Sequence, residues 1–157
     1  MNNKYYTGIG SRETPHDVLE LMTRIATKLE QLGYCLRSGG ASGADMAFER
    51  GVSNTANKQI FVASDSTAEA EQLASSIHPA WYRCNDYARK LHGRNCFQVL
   101  GKDLNTPSQF VICWTRGGLP VGGSATAINL AIQRGIKVYN LADKNIFRRL
   151  ESFVNKK

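Results

Sequence analysis

Apolar positions along the chain change their spacing in a regular alternation, from short unbroken runs to stretches with a helical period. Residues 4–10, "KYYTGIG", make a first apolar run that ends in glycines. In residues 14–33 the apolar positions Val18, Met22, Ile25, Leu29 and Leu32 recur at 4, 3, 4 and 3, one face of a helix. Thr14 stands as N-cap, Pro15 at the first helical position, Asp17 at the third and Gly33 beyond the end, so the start and stop signals agree with the period. Tyr34–Arg37 reads as a second strand. Ser42 and Asp45 have the spacing of a capping box for a helix that begins near Gly43.

The alternation continues to the end of the chain. "KQIFVA" is a third strand, "TAEAEQLASSIH" a helix, and a segment opened by proline leads to another helix around "NDYARKLHG". "QFVICW" is a fourth strand, "GGSATAINLAIQRG" a helix of small residues, "IKVYNL" a fifth strand, and "KNIFRRLESFVNK" a closing amphipathic helix. Strands this apolar, separated by helices, predict a single α/β domain: a parallel sheet of five or more strands with helices on both faces. No internal repeat or linker interrupts it. In such sheets a ligand binds outside the carboxyl ends of the strands. Three corners rich in small residues fall there: "GIGSR" after the first strand, "SGGASGAD" after the second and "TRGGLPVGGSAT" after the fourth. Without Cβ atoms, backbone N–H groups at such corners can approach a phosphate.

Composition narrows the classes further. At 157 residues with 42% hydrophobic content the chain is long enough for one well-packed core. No apolar stretch approaches the roughly 20 residues of a membrane span, and the amino terminus has no signal-peptide core, so a cytoplasmic protein with no membrane partner is expected. Four cysteines without a CxxC spacing read as reduced thiols, and neither they nor His16, His78 and His92 show a metal-ligand spacing, so no metal and no cofactor is expected. The net charge of +7 is densest in "RCNDYARKLHGR" and in the tail through Lys157. It has little aromatic interleaving, which leaves nucleic acid possible and not favoured.

"GIGSRETP", "SGGASGADMAFERG" and "VGGSATAINLAIQRGIKVYNL" together resemble the SLOG superfamily of Rossmann-like proteins, which contains the DNA-processing protein DprA and the LOG phosphoribohydrolases. The segment "ARKLHGRNCFQVLGKDLNTPSQFVICWT" is similar to small DprA-like proteins of phage or plasmid type, so the likeness covers nearly the whole chain. It implies a nucleotide or phosphate site and a homodimer, for which the closing helix with Ile146, Phe147, Leu150, Phe153 and Val154 offers an apolar face to core or partner. Ligand contacts fall at Gly10, Ser11 and Arg12, at Ser38, Gly39, Gly40, Ser42, Gly43 and Asp45, and at Gly122, Gly123, Ser124, Ala125 and Thr126. Arg94 falls where the LOG arginine lies. Trp114, at the end of the fourth strand, either stacks on a base or belongs to the core.

Two departures bear on activity. Where the LOG motif GG-x-GT-x-x-E has its glutamate, this chain has Asn129, and Ala125 replaces the inner glycine. Cleavage of an N-glycosidic bond builds positive charge on the sugar, which a carboxylate stabilises far better than an amide. Glu49 and Asp45 are the carboxylates that could substitute, the former otherwise a solvent-facing residue and the latter otherwise a cap. The expected function is binding of a phosphorylated nucleoside as sensor, carrier or sequestering protein. The alternatives are phosphoribohydrolase action on nucleoside 5′-monophosphates and, third, DprA-like DNA binding.

Overall fold

The computed structural model describes residues 4–156; residues 1–3, where the leader expectation begins, and residue 157 of the basic tail lie outside them. The elements follow as β1 (Tyr5–Gly8), α1 (His16–Gln31), β2 (Cys35–Ser38), α2 (Ala44–Arg50), β3 (Lys58–Ile60), α3 (Ala68–Ser75), α4 (Asp86–Leu100), β4 (Phe110–Cys113), α5 (Ala125–Gln133), β5 (Lys137–Asn140) and α6 (Lys144–Asn155). The five strands form one parallel sheet in the order β3-β2-β1-β4-β5. The chain winds outward from β1 to β3, then crosses back to place β4 on the other side of β1. The loops after β1 and β4 therefore diverge, and a crevice opens at this switch of direction.

Alternation along the strands explains the two layers. Tyr6, Leu36 and Ile112 face a core shared with α1 and α2, among them Val18, Met22, Ile25, Ala47 and Phe48. Val111 and Cys113 face the opposite core, built from α4 and α5 with Val99, Leu100, Ile128 and Leu130. Arg37 also points to this second side, where it is buried. Its Nε donates to Gln59 Oε1 and its Nη1 to the Thr106 carbonyl and Ser108 Oγ, while the guanidinium lies 4.0 Å from the centre of the Tyr5 ring. These partners compensate burial of that charge, Asp103 adds a more distant attraction, and no carboxylate among the described residues pairs with it directly. The face of α6, with Ile146, Phe147, Leu150, Phe153 and Val154, packs half-buried against the first core.

Several boundaries differ from the sequence expectation. Pro15, not Thr14, takes the cap position of α1, and Thr14 Oγ1 donates instead to the Ser11 carbonyl. Leu32 lies beyond the helix and is exposed. Gly43, at φ 87°, caps α2; Ser42 is exposed and forms no capping box. β3 stops at Ile60 because the chain turns at 63–65, where the Asp65 carboxylate accepts the Val62 N–H. α4 runs past Gly93 to Leu100, beyond the stretch "NDYARKLHG" around which the helix was expected. Gly93 is in mid-helix because a Cβ there would collide with Ser66 Oγ and with Glu71.

At the end of β1, a Cβ on Gly8 would come within 2.7 Å of the Phe48 ring and 2.9 Å of Leu36 Cδ1, so Phe48 closes the sheet edge beneath the crevice. Phe48→Ala should destabilise the fold by about 3–5 kcal/mol in urea unfolding, as a fully buried aromatic does. A loss below about 1 kcal/mol would contradict this packing.

Candidate functional site

The loops after β1, β2 and β4 and the start of α5 enclose one cavity of about 760 Å³ at the carboxyl edge of the sheet, with α4 as its side wall. That volume is in the range of small-molecule sites. Gly10, Ser11 and Arg12 line it from the first corner, Gly39, Gly40 and Asp45 from the second, and Gly122, Gly123 and Ser124 from the third. Arg94 lines it from α4. The four glycines expected at one edge, Gly10, Gly39, Gly40 and Gly123, thus meet in one wall.

Other expected residues stand apart. Ser38 is buried below the cavity, where its Oγ donates to the Gly8 carbonyl. Gly43 packs against the Arg12 backbone, with Arg12 Cα 2.7 Å from where a Cβ would be. Trp114 belongs to the first core, and only its backbone bears on the site, its carbonyl accepting the Ser11 N–H. Ala125 opens α5 outside the wall, and Thr126 is buried with its Oγ1 2.9 Å from His92 Nδ1. Glu49 is not in the cavity wall; its carboxylate pairs with Lys58 at 3.0 Å. Asn129 is not in the wall either.

Asp45 organises the floor. Its side chain is buried and its Oδ2 accepts the Ala41 N–H at 3.3 Å. Burial raises its pKa from 3.8 to about 6, against the pull of the Ala41 amide, the Arg94 charge and the amides of Gly39 and Gly10. The carboxylate therefore occupies N–H groups that an incoming anion was expected to meet, and the Ser11 N–H is occupied as well. The backbone cradle expected over residues 10–12 and 39–43 is to that extent closed from within. By contrast, the N–H groups of Gly122 and Gly123 have no hydrogen-bond partner among the described residues, and Asn95 Nδ2 holds the turn by donating to the Gly123 carbonyl.

The arginines divide in the same way. Arg94 Nη1 donates to the carbonyls of Gly39 and Phe61, both at 2.9 Å, and its Nε to Asn95 Oδ1. It is mainly a clamp on the second corner. Arg116 pairs with Glu13 at 2.6 Å. Arg12 is exposed and makes no ion pair or hydrogen bond among the described residues, and Glu13 beside it pairs with Arg116 instead. From α4, Tyr87, Leu91, His92, Asn95 and Gln98 also line the cavity, none of them foreseen. The 3.6-residue spacing of Leu91, Asn95 and Gln98 on one helix face was the available signal.

A second cluster adjoins this wall. His78, Cys84 and His92 bring one ring nitrogen or sulfur each to within 4.8 Å of one another. Their separation along the chain gave no such indication.

No family model, curated protein or solved structure matches this chain. Fold and site together define a parallel α/β domain with a cavity at the switch of strand direction.

The Asp45 shift has a consequence for stability. With a folded-state pKa above the usual value, the neutral acid favours the fold; that contribution is complete below about pH 3.8 and is lost as pH rises through about 6. Arg94 is the charged group that faces it. Between pH 4 and pH 7 the wild type should lose about 2 kcal/mol relative to Asp45→Asn. Paired urea titrations check this, and parallel curves for the two proteins would contradict it.

Proposed function

We propose that the cavity binds a phosphorylated nucleoside, with its phosphate at the Gly122–Gly123 turn and under Arg12. The observation that carries this is the state of Gly123. A Cβ there would meet nothing within 4 Å and the backbone requires no glycine, so neither packing nor conformation explains the residue. An approaching ligand does. Free amides at Gly122 and Gly123, the Ser124 hydroxyl and an unpaired arginine supply donors for phosphate oxygens, and an arginine contact can be bidentate. The exposed ring of Tyr87 and the side chain of Leu91 offer apolar surface for a base at the α4 wall. The motifs that resemble the SLOG superfamily contribute these same corners, which supports a sensor, carrier or sequestering role. Pairing of two chains, which that resemblance implies, would need a face other than the one α6 turns to the core.

The phosphoribohydrolase reading is favoured by one fact: Asp45 places a carboxylate in the cavity floor. In that reading the ionised Asp45 stabilises the positive sugar, and Glu49 takes no part. Release of free base from a nucleoside 5′-monophosphate, lost in Asp45→Asn while binding persists, would establish it. Binding of monophosphates without release of base would leave the binding role alone.

Calorimetry across a panel of nucleoside mono-, di- and triphosphates tests the main reading. Arg12→Ala should weaken binding by about 10- to 150-fold, the loss of one charge-assisted contact of about 1.5–3 kcal/mol. Gly123→Val should abolish binding and leave stability within about 0.5 kcal/mol, since the added side chain meets only the empty cavity. Unchanged affinity in both variants would place the ligand elsewhere.

A further inference from the structure

The connection from α3 to α4 crosses the outside of the cavity wall. Its backbone hydrogen bonds are local: His78 N–H to Ala74, Arg83 to Ala80 and Cys84 to Trp81. Arg89 Nη2 reaches back to the Trp81 carbonyl. Yet this connection brings two donors of metal-ligand type, His78 and Cys84, against a third, His92 on α4.

We propose that His78, Cys84 and His92 bind a divalent transition metal ion of the zinc class, which fastens the 76–85 connection to α4 beside the cavity. The donor set is two imidazoles and one thiolate, which favours zinc over the hard cations magnesium and calcium. Cys84 Sγ lies 3.8 Å from His78 Nε2. Tetrahedral zinc, at about 2.3 Å from sulfur and 2.0–2.1 Å from nitrogen, holds such atoms roughly 3.5 Å apart. The widest pair lies within 4.8 Å, so closure needs movements on the order of an ångström.

The surroundings fit the same reading. His92 Nδ1 lies 2.9 Å from Thr126 Oγ1. With Nδ1–H donating there, Nε2 keeps its lone pair, the orienting contact that metal-bound histidines typically have. Trp81 lies 6.2 Å from each histidine ring and shields the cluster on one side. Binding releases the Cys84 thiol proton to solvent. It also moves the His78 ring proton to Nδ1, which gives up the bond now accepted from the Ala80 N–H. Three protein donors leave a fourth position for water. His92 also lines the cavity, so the ion would brace the wall that carries Arg94 and Asn95.

The test needs no nucleotide and is independent of the reading given above. Metal-free full-length protein is titrated with zinc against a chromophoric chelator. One equivalent per chain should bind, and zinc should raise the melting temperature. Cys84→Ser should lose more than the about 10- to 100-fold that loss of an outer partner costs, and Thr126→Val should lose about that much. Cys35→Ser, which alters a half-buried thiol on β2, should bind like wild type. Cobalt(II) added to the wild-type chain should give a sulfur-to-metal charge-transfer band, a readout that stands even if a variant fails to fold. Sub-stoichiometric binding, equal affinity in Cys84→Ser and Cys35→Ser, or a cobalt spectrum without the sulfur band would each overturn the proposal.

Discussion

The buried carboxylate of Asp45 is the constraint around which the cavity is built. It sits in the first turn of α2 and draws in amides from the first and second glycine corners, with the Arg94 guanidinium close enough to act on its charge. Gly39 lies where Asp45, Arg94 and Gln98 converge. A Cβ there would be 2.5 Å from Arg94 Nη1, 2.5 Å from Gln98 Nε2 and 2.9 Å from Asp45 Oδ2. Glycine at 39 is therefore a packing requirement, and glycine at 123 is not. The two explain different things, although they look alike in the sequence.

This arrangement also divides the cavity electrostatically. An acid that stays buried and only partly compensated repels a second negative charge, so a phosphate is disfavoured directly above Asp45. The amides of the 122–123 turn and Arg12, none of them partnered among the described residues, offer the opposite environment. Arg116 does not compete, because Glu13 already neutralises it. The net charge of +7 thus matters less for the site than the pairing of individual arginines.

The sheet was legible in the sequence because short runs rich in apolar residues alternate with stretches of helical period; a parallel sheet of five strands follows from that. The corners were legible because clustered glycines are rare outside turns and ligand loops. What sequence could not supply was the identity of partners across the fold. Nothing local distinguishes Arg94, tied to two carbonyls, from Arg12, which has no partner among the described residues. Glu49 is one turn from Asp45, yet it turns to Lys58 rather than to the cavity. Gly93 lies inside α4, and the neighbours that leave no room for a Cβ there, Ser66 and Glu71, are far away in sequence. The histidine–cysteine cluster escaped for the same cause: His78 and Cys84 come from an irregular connection whose path depends on the packing of α3 against α4.

The central claim is that an anionic ligand meets the amides of the 122–123 turn and not those engaged by Asp45. Amide chemical shifts of isotope-labelled protein, followed during titration with adenosine 5′-monophosphate and with ribose 5-phosphate, test it directly. The account predicts that both ligands shift the Gly122, Gly123 and Ser124 resonances most strongly, and that the nucleotide adds shifts around Tyr87 and Leu91. Saturable shifts confined to another face of the molecule, or none at these residues with either compound, would contradict it.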